Sequence, residues 1–304
     1  MSVSGSAAMA VMRLCKPKKS AYADIEKSKK KADKENAAGR DFALPKDRKA
    51  SYTLVPGTEF PCMIVRSNKK AAPAQDKAVL FLYGGVTRLW KMQLRFAVDL
   101  ANRTGLPVWY PVYPSVTETP ITRAIEVLYQ VYRRMTEQHK PEKIAVVGLS
   151  FGGTFALELI NWNNRSEEPV PMPGLIIAHS PGGIPDAAED WAEMARYEKR
   201  DPIFFVEDIR AMLRLIPEAA QTPAHALSPR REDFHGAPET HMYYGEEVLA
   251  GNAPAYRWAF EQAGVGDRLH ITITENMMHG YSCMPVFPES RKSYTEALKL
   301  IEAL

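Results

Sequence analysis

Three apolar runs of strand length constrain the fold of this 304-residue chain more than any other feature. They are AVLFLY from Ala78, KIAVVG from Lys143 and LIIAHS from Leu175. Runs with apolar residues at almost every position are typical of strands buried on both faces of a parallel sheet. Segments with the three-to-four-residue spacing of helices separate them, as in the stretch that begins near Ile121. The alternation predicts an α/β fold, a doubly wound and mostly parallel sheet with helices on both faces.

Further elements extend this sheet at both ends. Before Ala78, two segments alternate as the strands of a half-exposed hairpin, and a polar turn follows them. After Leu175 we expect two helices between 186 and 217, then two strands separated by a helix with Gly264 as its C-cap. A last helix runs from Glu289 to Leu304. The hairpin segments are SYTLV and PCMIVRS, and the later strands are THMYY and LHITIT.

Charge is distributed unevenly along the chain. The net charge is +3, but residues 1–50 carry 13 Lys and Arg against 6 Asp and Glu, whereas residues 51–304 are net acidic. A nucleic-acid site places basic charge and aromatic rings on one folded face, and this arm holds only Tyr22 and Phe42 as aromatic residues. We therefore expect no nucleic-acid partner. An amphipathic helix at the start of the arm would lie over the body or against a membrane surface, and a solvated, frayed terminus is the alternative.

The cysteines and the apolar stretches indicate a protein of a reducing compartment. Cys15, Cys62 and Cys283 are odd in number and form no CxxC pair, which argues against a disulfide framework and a structural zinc site. No stretch approaches the roughly 20 apolar residues of a membrane span. A cytoplasmic location is the expectation.

The pentapeptide Gly148-Leu149-Ser150-Phe151-Gly152 is a G-x-S-x-G motif between a buried strand and a helix. A sharp turn in this context lifts the serine hydroxyl above the carboxyl ends of the strands. It also directs the backbone N–H of Phe151 to the same point, at the positive end of the helix. Ser150 is thus the candidate nucleophile, and the alternative is a tight turn that merely uses a small residue.

A serine nucleophile needs a histidine base, and the base needs a carboxylate. His279 follows the last predicted strand, so its loop returns to the edge of the sheet where Ser150 lies, whereas His270 lies within that strand and is typical of a structural or solvated residue. Glu246 and Glu247 follow the preceding strand, which gives the order serine, acid, histidine that this kind of fold uses. Asp267 precedes its strand and belongs to the opposite edge.

Oxyanion stabilisation requires N–H donors from a second direction. Gly84 and Gly85 follow the first buried strand, where glycine lets the backbone approach a substrate closely. Two glycines alone are a weak signal, and their position after AVLFLY makes them candidates. Three aromatic residues are candidates for the walls of the substrate site, namely Trp90, Phe151 and Tyr281.

From about Tyr52 onward the sequence resembles the α/β-hydrolase fold-3 group, the hormone-sensitive-lipase-like esterases that include bacterial acetyl esterases. LYGG resembles the family's HGGG turn, GLSFGG its nucleophile elbow, and YYGEEVL the segment that carries the acid, where Glu247 rather than Glu246 aligns. His279-Gly280-Tyr281 resembles the family's histidine followed by an aromatic residue. The resemblance implies catalysis by Ser150, Glu247 and His279, and an oxyanion hole from Gly84, Gly85 and Phe151.

The resemblance also implies a domain organisation. Residues 1–50 and an insertion at about 182–223 map onto the family's mobile cap, and residues 51–304 form the catalytic domain that holds the insertion. Two positions depart from the family pattern, because Tyr83 stands where the family has histidine and Val86 where it has the last glycine. Valine keeps an N–H and so remains a further donor, but it resists the positive φ that glycine allows.

These residues predict a serine carboxylesterase for a small-molecule ester. The resemblance implies an acyl chain of short to medium length and a reaction free of metal and cofactor. The same triad serves amidases and peptidases, since acyl transfer to water is common to all. A non-catalytic small-molecule receptor on the same fold is the alternative of another class. Oligomeric state is left open.

Overall fold

The computed structural model describes residues 2–17, 20, 24–46, 48–70, 76–216, 223 and 225–304. Eight strands in this part of the chain form one sheet in the order β1, β2, β4, β3, β5, β6, β7, β8. The pairs β1–β2 and β2–β4 are antiparallel, and the remaining pairs are parallel. The strands are β1 (Ala50–Leu54), β2 (Cys62–Ser67), β3 (Ala78–Leu82), β4 (Val108–Pro111), β5 (Ile144–Leu149), β6 (Leu175–His179), β7 (Glu239–Gly245) and β8 (Leu269–Thr274).

Nine α-helices are present in the described residues. They are α1 (Val3–Cys15), α2 (Ile25–Arg40), α3 (Trp90–Thr104), α4 (Ile121–Thr136), α5 (Phe151–Asn164), α6 (Ala188–Tyr197), α7 (Val206–Leu215), α8 (Ala253–Gln262) and α9 (Pro288–Ala303). The predicted fold class is confirmed, with a mostly parallel sheet and helices on both faces. Every described helix is too short or too polar to cross a membrane.

The sequence pattern explains why the sheet forms where it does. Every residue of β3, β5 and β6 is buried, as the continuous apolar runs predict. The apolar stripe of α4 is likewise buried along its length, from Ile121 to Met135. The C-cap of α8 is Ala263, one residue before the predicted Gly264. Gly264 comes next, with a φ of +71°, and donates its N–H to Glu261 O, so it supplies the left-handed residue that ends the helix.

The N-terminal arm is helical and lies over the body. Directly after α1, Lys16 Nζ donates to the carbonyl oxygens of Glu198, Asp201 and Phe204, which belong to the loop after α6. In α2, Asn36 Nδ2 donates to Thr117 Oγ1 at 2.9 Å. The arm thus contacts the region expected to form the cap. Its assignment to the cap and the division of the chain at residue 50 stay predictions, as does contact with a membrane.

Parts of three predicted features lie outside the described residues. The polar turn after β2 includes residues 71–75, the basic flank of α1 includes Lys18 and Lys19, and the end of the expected cap insertion includes residues 217–222. The two helices expected between 186 and 217 are confirmed as α6 and α7.

Candidate active site

Ser150 lies in a strained turn between β5 and α5. Its φ is +56° and its ψ is −122°, a conformation that L-residues rarely adopt outside special sites. The chains around it pack so tightly that a Cβ on Gly148 would lie 2.2 Å from Gly152 O, and one on Gly152 would lie 2.2 Å from Leu82 O. Phe151 begins α5, so its N–H is one of the first-turn amides that have no partner within a helix. The G-x-S-x-G turn therefore has the sharp geometry that the sequence predicts.

Glu247 and His279 meet in a buried pair beyond the carboxyl ends of β7 and β8. His279 Nδ1 forms a short hydrogen bond with Glu247 Oε2, and Glu247 is fully buried. The other carboxylate oxygen accepts Ser180 Oγ–H at 2.5 Å and Gly245 N–H at 3.1 Å. Burial disfavours the charged imidazole, but the negative charge of Glu247 outweighs it and raises the pKa of His279. The arrangement fixes the ring, and no hydrogen bond from a described residue occupies Nε2.

The two adjacent glutamates point to different surroundings. Glu246 Oε1 accepts a hydrogen bond from Arg200 Nη1 at 2.7 Å, and its Oε2 lies 3.8 Å from Arg13 Nη2. Glu246 therefore joins the N-terminal arm to the loop after α6, whereas Glu247 faces the histidine. The structure brings together His279 and the glutamate that the resemblance favours.

The loop that carries His279 lies beside the serine turn. Gly280 N–H donates to Ser180 Oγ at 2.9 Å, and a Cβ on Gly280 would lie 3.1 Å from Leu149 Cδ1, the residue before Ser150. Within the described residues no hydrogen bond joins Ser150 Oγ to His279. The two residues thus share one edge of the sheet.

Two glycines after β3 form a turn against Ser150. A Cβ on Gly84 would lie 2.9 Å from Ser150 Cβ, and Gly85 has a φ of +95°. The Gly84 N–H already donates to Gln93 Oε1 at 2.7 Å, and Gln93 Nε2 donates to Gly84 O at 2.9 Å. Gly84 therefore fixes the turn to α3, and its N–H is already occupied by Gln93. Of the three predicted oxyanion-hole donors, the N–H groups of Gly85 and Phe151 are left for a ligand.

Hydrogen bonds to neighbouring carbonyls hold the rest of this turn. Tyr113 Oη donates to Tyr83 O through a short hydrogen bond, and Tyr83 Oη donates to Tyr113 O at 3.0 Å. Their rings stack with centroids 4.1 Å apart. Ser115 Oγ donates to Val86 O at 2.9 Å. The two residues that depart from the family pattern, Tyr83 and Val86, are thus built into a tightly fixed backbone.

An apolar cleft opens in front of Ser150. Its empty volume is about 610 Å³, including the part open to solvent. Phe151 lines it, as predicted, whereas Trp90 and Tyr281 are buried elsewhere: Trp90 Nε1 donates to Gly39 O, and Tyr281 Oη bonds to Thr274 Oγ1. The other lining residues are Gly85, Val86, Thr154, Gly182, Gly183, Ile184, Phe204, Ile209, Met212, Leu213, Leu227 and Leu249.

Sequence reasoning missed three side chains that support the acid and the base. Ser180 bonds to both Glu247 and the backbone of the histidine loop. Asp201 is fully buried and accepts the N–H groups of Phe204 and Val248, so it connects the cap loop to the acid loop. The Phe204 ring meets His279 edge-on at 5.0 Å. Ser180 follows the strand LIIAH at its carboxyl end, which is a signal that points to this edge.

Comparison with known proteins places this architecture in a family. A family model described as the alpha/beta hydrolase fold matches residues 79–283, about two thirds of the chain. The chain belongs to this alpha/beta hydrolase fold family. The α/β hydrolase is 26% identical over 241 residues to an esterase of Acinetobacter venetianus, a match that covers 77% of this chain and 78% of that protein.

Solved structures resemble this α/β hydrolase over their full length. EstE5, in crystals soaked with p-nitrophenyl butyrate, has a TM-score of 0.78 at 18% identity and covers 100% of this chain and 99% of its own. An esterase from the bacterial hormone-sensitive lipase family has a TM-score of 0.77 at 19% identity, with the same coverage. The family model and the Acinetobacter relative confirm the resemblance to esterases of this family and support a carboxylic ester hydrolase, and the solved structures show that the fold is shared.

Proposed function

We propose that this α/β hydrolase is a serine carboxylesterase with Ser150 as nucleophile, His279 as base and Glu247 as the acid. The observation that carries the proposal is the buried Glu247–His279 pair, whose loop lies beside the strained serine turn. A carboxylate buried with full hydrogen bonding selects the imidazole tautomer that carries its proton on Nδ1. The free Nε2 then accepts a proton from Ser150 once a substrate draws the two residues together.

Acylation follows from this geometry. Ser150 Oγ attacks the ester carbonyl carbon while His279 Nε2 takes the hydroxyl proton, and the carbonyl oxygen becomes an oxyanion. The N–H groups of Gly85 and Phe151 stabilise that oxyanion, with the Val86 N–H as a further donor. The tetrahedral intermediate then breaks its bond to the alcohol oxygen, and the alcohol leaves with the proton from His279.

Deacylation repeats the sequence with water. His279 removes a proton from a water molecule, whose oxygen attacks the acyl carbon of the Ser150 ester. The second tetrahedral intermediate releases the carboxylic acid and returns the proton to Ser150 Oγ. The negative charge of Glu247 stabilises the imidazolium in both halves of the reaction, which agrees with the raised pKa of His279.

The cleft supports esters with short to medium acyl chains. Its walls are mainly aliphatic and aromatic, and they include Phe204 and Leu213 of the expected cap region. A structural relative, EstE5, was soaked with p-nitrophenyl butyrate, an ester of this size. A panel of p-nitrophenyl esters tests this range: we expect the highest kcat/KM for butyrate to octanoate, and palmitate as the best substrate would contradict it. Butyryl p-nitroanilide in the same panel detects an amidase.

A fluorophosphonate probe tests the nucleophile itself. We expect wild type and Ser51→Ala, a control at an exposed serine of β1, to be labelled, and Ser150→Ala to remain unlabelled. Circular dichroism shows whether each variant is folded. A folded wild type that takes up no label and hydrolyses no ester would support the receptor alternative and refute the esterase.

A further inference from the structure

A second cluster of reactive side chains lies on the last two strands of the sheet, at the edge opposite Ser150. His241 of β7 and His270 of β8 are paired in register, and Glu239 precedes His241 by two residues on the same face of β7. Side-chain ligand atoms of the three residues all lie within 4.8 Å of one another. Six residues of β7, 240–245, separate Glu239 from the acid loop, a span of about 20 Å. The cluster is therefore separate from the proposed ester site.

The two imidazoles converge on one carboxylate oxygen. His270 Nε2 lies 2.6 Å and His241 Nε2 lies 3.2 Å from Glu239 Oε1, and the two rings stack with centroids 4.6 Å apart. In the described part of the chain, His241 Nε2 is sealed from solvent, and its 3.2 Å contact with Glu239 Oε1 does not have good hydrogen-bond geometry. A buried nitrogen with so weak a contact costs free energy that a bound cation would remove.

From these observations we propose that Glu239, His241 and His270 bind a divalent transition-metal ion, with Zn²⁺ as the ion that fits best. Two imidazoles and one carboxylate are a ligand set that zinc accepts, with a fourth position left for water. Ligand atoms about 2.0–2.2 Å from a tetrahedral ion stand about 3.3 Å apart, close to the His241–Glu239 distance. The 2.6 Å His270–Glu239 contact has to open by about 0.7 Å.

The surroundings of the cluster favour a cation. The side chains of Glu239 and His270 are half-exposed, so an ion reaches them from solvent and they move easily. Glu296 of α9 adds a second negative charge near His241. Because β8 is the edge strand, the ion would fasten it to β7.

Titration calorimetry with Zn²⁺ on the full chain, freed of metal by a chelator, tests the site. We expect wild type to bind one equivalent, and His270→Gln to bind more than about tenfold more weakly, since even changes outside the ligand set cause losses of that size. His235→Gln is the matched control, because His235 is exposed beside Asp233 on the surface and should not alter binding. Mg²⁺, which prefers oxygen ligands, should not compete.

Two further readouts separate this site from the proposed ester site. Zn²⁺ should raise the thermal unfolding midpoint of wild type and of Ser150→Ala alike, but not of His270→Gln. Esterase turnover should stay unchanged as Zn²⁺ fills the site. Three results would each overturn the assignment: no Zn²⁺ binding by wild type, equal binding by wild type and His270→Gln, or loss of binding in His279→Gln. None of these results depends on whether the protein is an esterase.

Discussion

Gln93 of α3 sets the direction of the Gly85 amide, so its replacement tests the proposed oxyanion hole. The side chain is buried, and its amide bonds to both the N–H and the carbonyl of Gly84. The Gly84–Gly85 peptide is trans, and in a trans peptide the N–H points away from the carbonyl of the same unit. Since Gln93 holds the carbonyl against α3, it holds the Gly85 N–H on the side of the cleft, where Ser150 lies.

Two substitutions of Gln93 perturb this turn in different ways. Gln93→Leu removes both hydrogen bonds. Gln93→Glu keeps an acceptor for the Gly84 N–H but, when ionised, loses the donor to Gly84 O and repels it. Complete loss of one oxyanion donor costs about 10²–10³ in kcat. Here the Gly85 amide remains but loses its support, so we expect kcat to fall about 10- to 100-fold, about 1.4–2.7 kcal/mol, with KM nearly unchanged.

The assay separates positioning from general destabilisation. Steady-state hydrolysis of p-nitrophenyl butyrate gives kcat and KM, and urea unfolding gives the stability of each variant. Tyr129→Phe is the matched control, because it removes a buried 2.7 Å hydrogen bond to Asn163 that is remote from the cleft. It should lose about 1 kcal/mol of stability and keep its kcat.

The Glu variant adds a pH signature. At low pH the protonated carboxyl of Gln93→Glu again donates to Gly84 O, so its activity relative to wild type should rise as the pH falls. A kcat of both Gln93 variants within about twofold of wild type would refute the reasoning, because that is far below the loss of one oxyanion donor. So would a loss carried entirely by KM.

Three further predictions concern pH and the N-terminal arm. Since Glu247 raises the pKa of His279, Glu247→Gln should lower kcat about 10³–10⁴-fold and move the acid limb of its pH–rate profile to lower pH; an unmoved limb would contradict this. Lys16→Met removes three hydrogen bonds to the loop after α6, so kcat and the unfolding midpoint should both fall, and unchanged values would show that the arm does not support the site. Burial raises the pKa of Glu158 to about 7 beside the buried carboxyl of Glu232, so the folded state keeps protons that the unfolded state releases. The free energy of unfolding of wild type should therefore fall by a few kcal/mol between about pH 4.5 and pH 7. Urea titrations should show a smaller fall for Glu232→Gln, and a fall equal to that of wild type would contradict the prediction.

The elements that sequence reasoning located are those whose signals are local. The strands β3, β5 and β6 appear as continuous apolar runs because both of their faces are buried. The serine turn could be predicted because its glycines are required by close contacts between residues only a few positions apart, such as Gly148 and Gly152. Spacing alone did not separate Glu246 from Glu247, since both follow the same strand. The family resemblance favoured Glu247. The partners of the two side chains explain the difference, because Glu247 faces His279 whereas Glu246 faces Arg200.

The residues that escaped prediction act over long distances along the chain. Gln93 bonds to a residue nine positions away, Asp201 to one 47 away and Ser180 to one 100 away. Each fixes a backbone group of a loop, and such a bond leaves no period and no motif in the sequence. A loop at the carboxyl edge of a sheet has few apolar contacts to hold it, so its position depends on these single polar bonds. Local sequence motifs therefore identify the residues of the proposed triad. The alignment of those residues depends on other side chains, which come into contact only when the chain folds.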